Sequence, residues 1–126
     1  TYIEPQAYLT CWVALTDTDE ENGCPWVMPG LHQRGTLFHD STDLGHEIPL
    51  DASESIPLPL KAGSIAIFSS LTPHRTGPNL SEGIRKSYIL QYAPEGSKRV
   101  ISQSLREDLN DETRQFLILK DGKEVN

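Results

Sequence analysis

The most continuous run of apolar positions is Tyr8-Leu9-Thr10-Cys11-Trp12-Val13-Ala14-Leu15. It is rich in aromatic and β-branched residues and lacks a helical period, so it predicts a strand. Period two sets Tyr8, Thr10, Trp12 and Ala14 on one face, which carries hydrogen-bonding groups. Leu9, Cys11, Val13 and Leu15 fall on the other, wholly apolar face. Cys24 to Met28 predicts a second short strand, closed by Pro29-Gly30. In Ile56-Pro57-Leu58-Pro59-Leu60 the alternating prolines confine a strand to a sheet edge. Ser64 to Ser70 predicts a buried strand. Ile84 to Ala93 predicts the last clear one, with Arg85, Ser87, Ile89 and Gln91 on one face. Between these lie the acidic connection Thr16 to Gly23, an irregular stretch over 30–55 and a loop from Pro73 to Ser81. Ser102 to Phe116 has helix formers but a weak apolar stripe and predicts short helix or coil. Short strands with frequent turn signals predict a mainly β fold, an antiparallel sandwich or jelly roll. Polar residues on inward strand faces further suggest a ligand cavity between its sheets.

Composition narrows the partners. The chain has 126 residues, enough for one domain with a real core. Its 18 acidic against 11 basic residues give a net charge of −7, which argues against a general nucleic-acid binder. No apolar run approaches the roughly 20 residues of a membrane-spanning helix. The first residues have neither the basic start nor the apolar core of a secretory leader, and a cytoplasmic location is expected. The 2 cysteines, Cys11 and Cys24, are too few for a disulfide framework and read as reduced core thiols.

Chemistry-bearing residues concentrate late in the chain. His32, His39 and His46 recur every seven residues, but the glycines among them argue against a helix and make the period accidental. His74 differs, because it follows a buried strand in Thr72-Pro73-His74-Arg75-Thr76-Gly77-Pro78-Asn79. Arg85 follows at the start of the next strand, and its planar fork suits a carboxylate. Thr76 can add a hydroxyl to the same carboxylate. An imidazole and a carboxylate clamp are thus expected at the two ends of a hairpin. A turn histidine plus an arginine paired to one of the acids is the plainer alternative.

Several motifs occur in order: Trp12-Val13-Ala14-Leu15, Glu21-Asn22-Gly23-Cys24, Pro29-Gly30-Leu31-His32, Ala62-Gly63-Ser64, then Pro73 to Asn79 and Arg85. Together they resemble the phytanoyl-CoA dioxygenase family, which commonly reads W-x-A-L, E-N-G-C and P-G-S-H, with Leu31 here in place of the serine. The tail Phe116 to Lys123 is similar to the ends of bacterial members. The resemblance implies a double-stranded β-helix that uses iron(II), 2-oxoglutarate and O₂ on a small-molecule substrate. It also implies residue roles. His74 resembles the distal histidine of a two-histidine, one-carboxylate iron site. Arg85, assisted by Thr76, resembles the clamp for the far carboxylate of 2-oxoglutarate, and Trp12 the wall of that pocket. His39, Gln91, Ser87 and Thr10 are expected as further pocket-lining residues.

The family supplies its other two iron ligands as an H-x-D motif shortly before the segment matching Tyr2. This sequence contains no H-x-D; its nearest pairs, His39-Asp40 and His46-Glu47, have no spacer and would point to opposite strand faces. Residues 1–126 are therefore expected to be the C-terminal part of one oxygenase domain, incomplete at the N-terminus. By itself the chain is expected to bind iron poorly and to lack oxygenase activity. Whether a parent enzyme hydroxylates or halogenates would turn on the absent carboxylate. Two other readings stand beside this one: a metal-free jelly-roll module binding a carboxylate or sugar through Arg85 and Trp12, and a zinc cupin using His32, His39 and His46.

Overall fold

The computed structural model describes residues 3–5, 7–43, 45–111, 113 and 115–125. Their strands are β1 (Ile3–Glu4), β2 (Leu9–Ala14), β3 (Pro25–Val27), β4 (Asp40–Thr42), β5 (Gly45–Glu47), β6 (Ile56–Pro57), β7 (Ile65–Ser69), β8 (His74–Thr76), β9 (Ser87–Tyr92), β10 (Lys98–Val100), β11 (Arg106–Asp108), β12 (Leu119–Lys120) and β13 (Lys123–Glu124). Two short 3-10 turns, Leu31–Arg34 and Ala52–Glu54, are the helical elements among the described residues. The expectation of a mainly β chain holds. The segment 102–116, expected as helix or coil, contains β11 and an isolated antiparallel bridge between Asp111 and Gln115, and no helix among its described residues.

The chain divides into two units, Leu9–Gln91 and Thr1–Tyr8 with Tyr92–Asn126. The first contains the sheets β7-β2-β9 and β6-β3-β8 and the hairpin β4-β5. The second contains β1-β10-β11 and the hairpin β12-β13. In it, Arg99 pairs with Glu107 and Arg106 with Glu4, at 2.7 and 2.8 Å.

Within Leu9–Gln91, β2 runs antiparallel to β7 with Cys11 opposite Ile67 and Trp12 opposite Ala66. Trp12, Ala14 and Ala66 form the core, packed by Leu58, Leu60 and Phe68. Leu58 and Leu60 follow β6, so the core sits where the two sheets meet. A backbone bridge between Thr18 and Leu60, with N–H···O bonds of 2.7 and 3.0 Å, joins the chain beyond β2 to the chain beyond β6. The edge position expected for the proline-rich segment is observed, since among the described residues β6 pairs with β3 alone. Its prolines lack the N–H that a central strand would need.

The faces of β2 do not follow hydrophobicity. Thr10, Trp12 and Ala14 are buried, whereas Leu9 and Leu15 on the wholly apolar face are exposed. On β7, likewise, Ala66 is buried while Ile65 and Ile67 are exposed.

Two local expectations are revised. Pro73 to Ser81 is not all loop: β8 occupies His74–Thr76, pairing with β3 so that Val27 faces His74 and Pro25 faces Thr76. No propensity in His-Arg-Thr marks a strand; the backbone partner on β3 makes it one. His74 and Arg85 also do not close a hairpin, because β8 and β9 belong to different sheets. The segment between them crosses from one sheet to the other.

Candidate active site

The site begins with the strand geometry. Alternation along β8 puts His74 and Thr76 on one face and Arg75 on the other. Arg75 is spent there, its guanidinium lying 4.8 Å from the ring centroid of Trp26, its cross-strand neighbour. That leaves His74 and Thr76 for the opposite side.

The His74 ring is held at two points. Its Nδ1–H donates to the carbonyl of Thr72 at 2.8 Å, and the ring packs against that of Phe68, tilted by 54° with centroids 4.8 Å apart. A carbonyl can only accept, so this bond fixes the proton on Nδ1 and leaves the lone pair on Nε2. Backbone-oriented imidazoles of this kind are the usual form of a metal-ligating histidine. Phe68 escaped the sequence reading. The signal was present as an aromatic among the inward positions of β7, six residues before His74.

Arg85 precedes β9 and is half-buried. Its guanidinium carbon lies 5.9 Å from the ring centroid of Trp12. Its Nε is buried and has no hydrogen-bond partner among the described residues. A buried donor on a permanent cation is costly to leave unmet, by about 1–3 kcal/mol or more. An anionic group able to take the guanidinium edge would remove that cost. This orphaned atom fits the far carboxylate of a dicarboxylic acid.

The other expected residues sort by strand. Thr10 is buried on the same face of β2 as Trp12. Ser87 and Gln91 alternate in phase with Arg85 along β9; Ser87 is half-buried and Gln91 exposed. Thr76 is exposed, opposite Pro25. His39 is half-buried, with Nδ1 3.2 Å from the Leu37 carbonyl. Its ring stands edge-on to His46 at 4.8 Å. The seven-residue period that looked accidental therefore brings two of its three members together, across the hairpin β4-β5 rather than along a helix. His32 lies apart in the 3-10 turn Leu31–Arg34.

Among the described residues, no group of three or more His, Cys, Asp or Glu is arranged to hold a metal ion. His74 accordingly offers one ligand, and the residues present fit part of an iron site. Both cysteines are free, and burial pushes the Cys24 thiol up, which keeps it protonated and inert. No helix among the described residues is long and apolar enough to cross a membrane.

Comparison with known proteins bears on the same region. The family described as phytanoyl-CoA dioxygenase (PhyH) matches residues 1–87. The methylphosphonate hydroxylase of Gimesia maris is 34% identical over 85 residues, covering 68% of this chain and 33% of that protein. The structure of EvdO2 from Micromonospora carbonacea var. aurantiaca, complexed with 2-oxoglutarate, superposes with a TM-score of 0.65 at 28% identity, covering 76% of this chain and 41% of that one. The non-heme monooxygenase ThoJ, in its apo form, superposes with a TM-score of 0.69 at 26% identity over 91% of this chain and 45% of its own. The chain thus spans about a third of the curated relatives it matches (33% and 34% of the first two). The fold is that of the double-stranded β-helix oxygenases, and the chain belongs to the phytanoyl-CoA dioxygenase family.

Proposed function

We propose that these 126 residues are the C-terminal part of a single iron(II)- and 2-oxoglutarate-dependent dioxygenase domain that hydroxylates a small organic substrate. The observation that carries the reading is the buried, unpartnered Nε of Arg85 beside Trp12. In this reading Arg85 takes the far carboxylate of 2-oxoglutarate and Thr76 adds its hydroxyl. Trp12 walls the pocket and excludes water, which strengthens the ion pair. His74, its tautomer set by Thr72, presents Nε2 to iron. Iron, when bound, supplies O₂ activation driven by oxidative decarboxylation of the cosubstrate. Thr10, Ser87, Gln91 and His39 are placed around the substrate and cosubstrate. Support comes from the family match and from EvdO2, whose structure holds 2-oxoglutarate. The two free cysteines suit a reducing cytoplasm.

With one ligand of its own, the isolated chain is expected to bind iron weakly and to produce no succinate coupled to substrate. The test uses the full-length protein carrying His74→Ala and, separately, Arg85→Gln. The first is expected to lose most of its bound iron. The second should keep iron and lose 2-oxoglutarate affinity by about tenfold or more, the scale of a lost charge-assisted pair. Unchanged iron in the first variant would contradict the role of His74, and unchanged affinity in the second that of Arg85.

A further inference from the structure

The connection between His74 and Arg85 rests on a turn far earlier in the chain. Gly23 is buried with φ +86, and a Cβ built on it would lie 2.6 Å from the carbonyl oxygen of Gly77 and 3.0 Å from that of Pro78. Both are backbone atoms, so no side chain can swing away to make room. The turn and the crossing segment are also joined by the Leu80 N–H, which donates to the Glu21 carbonyl at 3.0 Å.

The turn itself is braced. Asp19 and Asn22 exchange bonds, each side-chain oxygen accepting the other's backbone N–H at 2.9 Å, while Asn22 Nδ2 donates to the Asp17 carbonyl at 3.0 Å. The Cys24 N–H donates to the Asp19 carbonyl at 2.7 Å. Asp17 in turn accepts from Lys61 Nζ and from the Ala62 N–H, at 2.7 and 2.8 Å. A turn held at this many points is a fixed surface against which residues 77–80 lie.

We propose that Gly23 is a positioning residue. By setting the path of Gly77 and Pro78, it fixes where the chain leaves Thr76 and re-enters at Arg85, and hence how far the guanidinium sits from the His74 imidazole. This inference rests on the proposed roles of those two residues. A cosubstrate held by Arg85 at one end and by the metal that His74 would ligate at the other senses the separation of the two residues, and misplacements of about 1 Å at such sites carry large penalties.

The structure supplies a matched control. Gly63 has nearly the same φ, +88, with nothing within 4 Å of its built Cβ. Gly23→Ala and Gly63→Ala therefore share the backbone strain, and only the first must displace residues 77–78. Each would be made in the full-length protein, with 2-oxoglutarate affinity read by calorimetry and the Arg85 Nε–H resonance read by NMR without ligand. Gly23→Ala is expected to raise the dissociation constant about tenfold or more and to shift the Arg85 resonance. Gly63→Ala should leave both within about twofold of wild type while losing only the thermal stability that the shared positive φ costs. Equal behaviour of the two variants would overturn the inference. Should Gly23→Ala fail to fold, Asn22→Ala takes its place. It loosens the same turn, and an unmoved affinity and resonance would likewise overturn the proposal. If the wild-type protein does not bind 2-oxoglutarate, the functional reading fails. The ligand-free Arg85 resonance then decides alone whether Gly23 positions it.

Discussion

The two faces of the β7-β2-β9 sheet make opposite use of their residues. The inner face carries Thr10, Trp12, Ala14 and Ala66, a mixed set that is buried. The outer face carries Leu9, Leu15, Ile65 and Ile67, an apolar set that is exposed. Hydrophobicity alone would bury the second at least as readily as the first. The inner face instead presents the Trp12 indole to the Arg85 guanidinium, 5.9 Å apart. The difference teaches that burial on β2 follows the strand's period of two, which puts the polar Thr10 inside with Trp12 on the face where the proposed site would lie.

Mutation can break this comparison. Trp12→Ala removes a core residue that is 3% exposed and should cost about 3–5 kcal/mol in urea unfolding. Ile67→Ala, on a residue 62% exposed, should cost about 1 kcal/mol or less. Equal costs would erase the distinction between the faces. Phe68→Leu sharpens it. The loss of stability should stay well below that of Trp12→Ala, since a branched apolar side chain still fills most of the half-buried position, while the His74 ring loses its aromatic neighbour. Iron content of the full-length protein should fall with it, and an undiminished content would detach Phe68 from the site.

The smallest expected effect concerns the end of the sheet, where Asp17 ties the chain after β2 to the start of β7. The hydrogen bond from Lys61 Nζ, then that from the Ala62 N–H, holds the Asp17 carboxyl below its ordinary value. A carboxylate lowered in the folded state contributes stability above its unfolded pKa, about 3.9, and loses it as pH falls through the folded value. Asp17→Asn should therefore flatten the acid limb of the stability curve and lower neutral stability by the same amount, a small one because the pair is exposed. An unaltered acid limb would remove Asp17 as its source.

Much of this was legible in the sequence, for reasons that can be named. β2, β7 and β9 carry enough β-branched and aromatic residues to declare themselves, and the prolines of β6 forced it to an edge. Period two alone placed Thr10 with Trp12, and Ser87 and Gln91 with Arg85. β8 was not legible, because His-Arg-Thr becomes a strand only through its pairing with β3. For the same reason the crossing between sheets read as a hairpin. The meeting of His39 and His46 was hidden because a seven-residue spacing speaks for a helix, whereas the hairpin that pairs His46 with Ser41 folds His46 back beside His39, just before β4. Gly23 meets Gly77 and Pro78, residues distant in sequence that no local pattern records, whereas Phe68 stands six residues before His74 as an inward aromatic of β7.

The central claim is that the inner face holds a dicarboxylate at Arg85. The most direct test follows the Arg85 Nε–H resonance while 2-oxoglutarate, and separately 2-oxobutyrate, is titrated into the full-length protein. The second compound keeps the keto acid and lacks the far carboxylate. The account predicts a saturable shift with 2-oxoglutarate and none of comparable size with 2-oxobutyrate. A resonance that stays in place with 2-oxoglutarate, or moves equally with both, would contradict it.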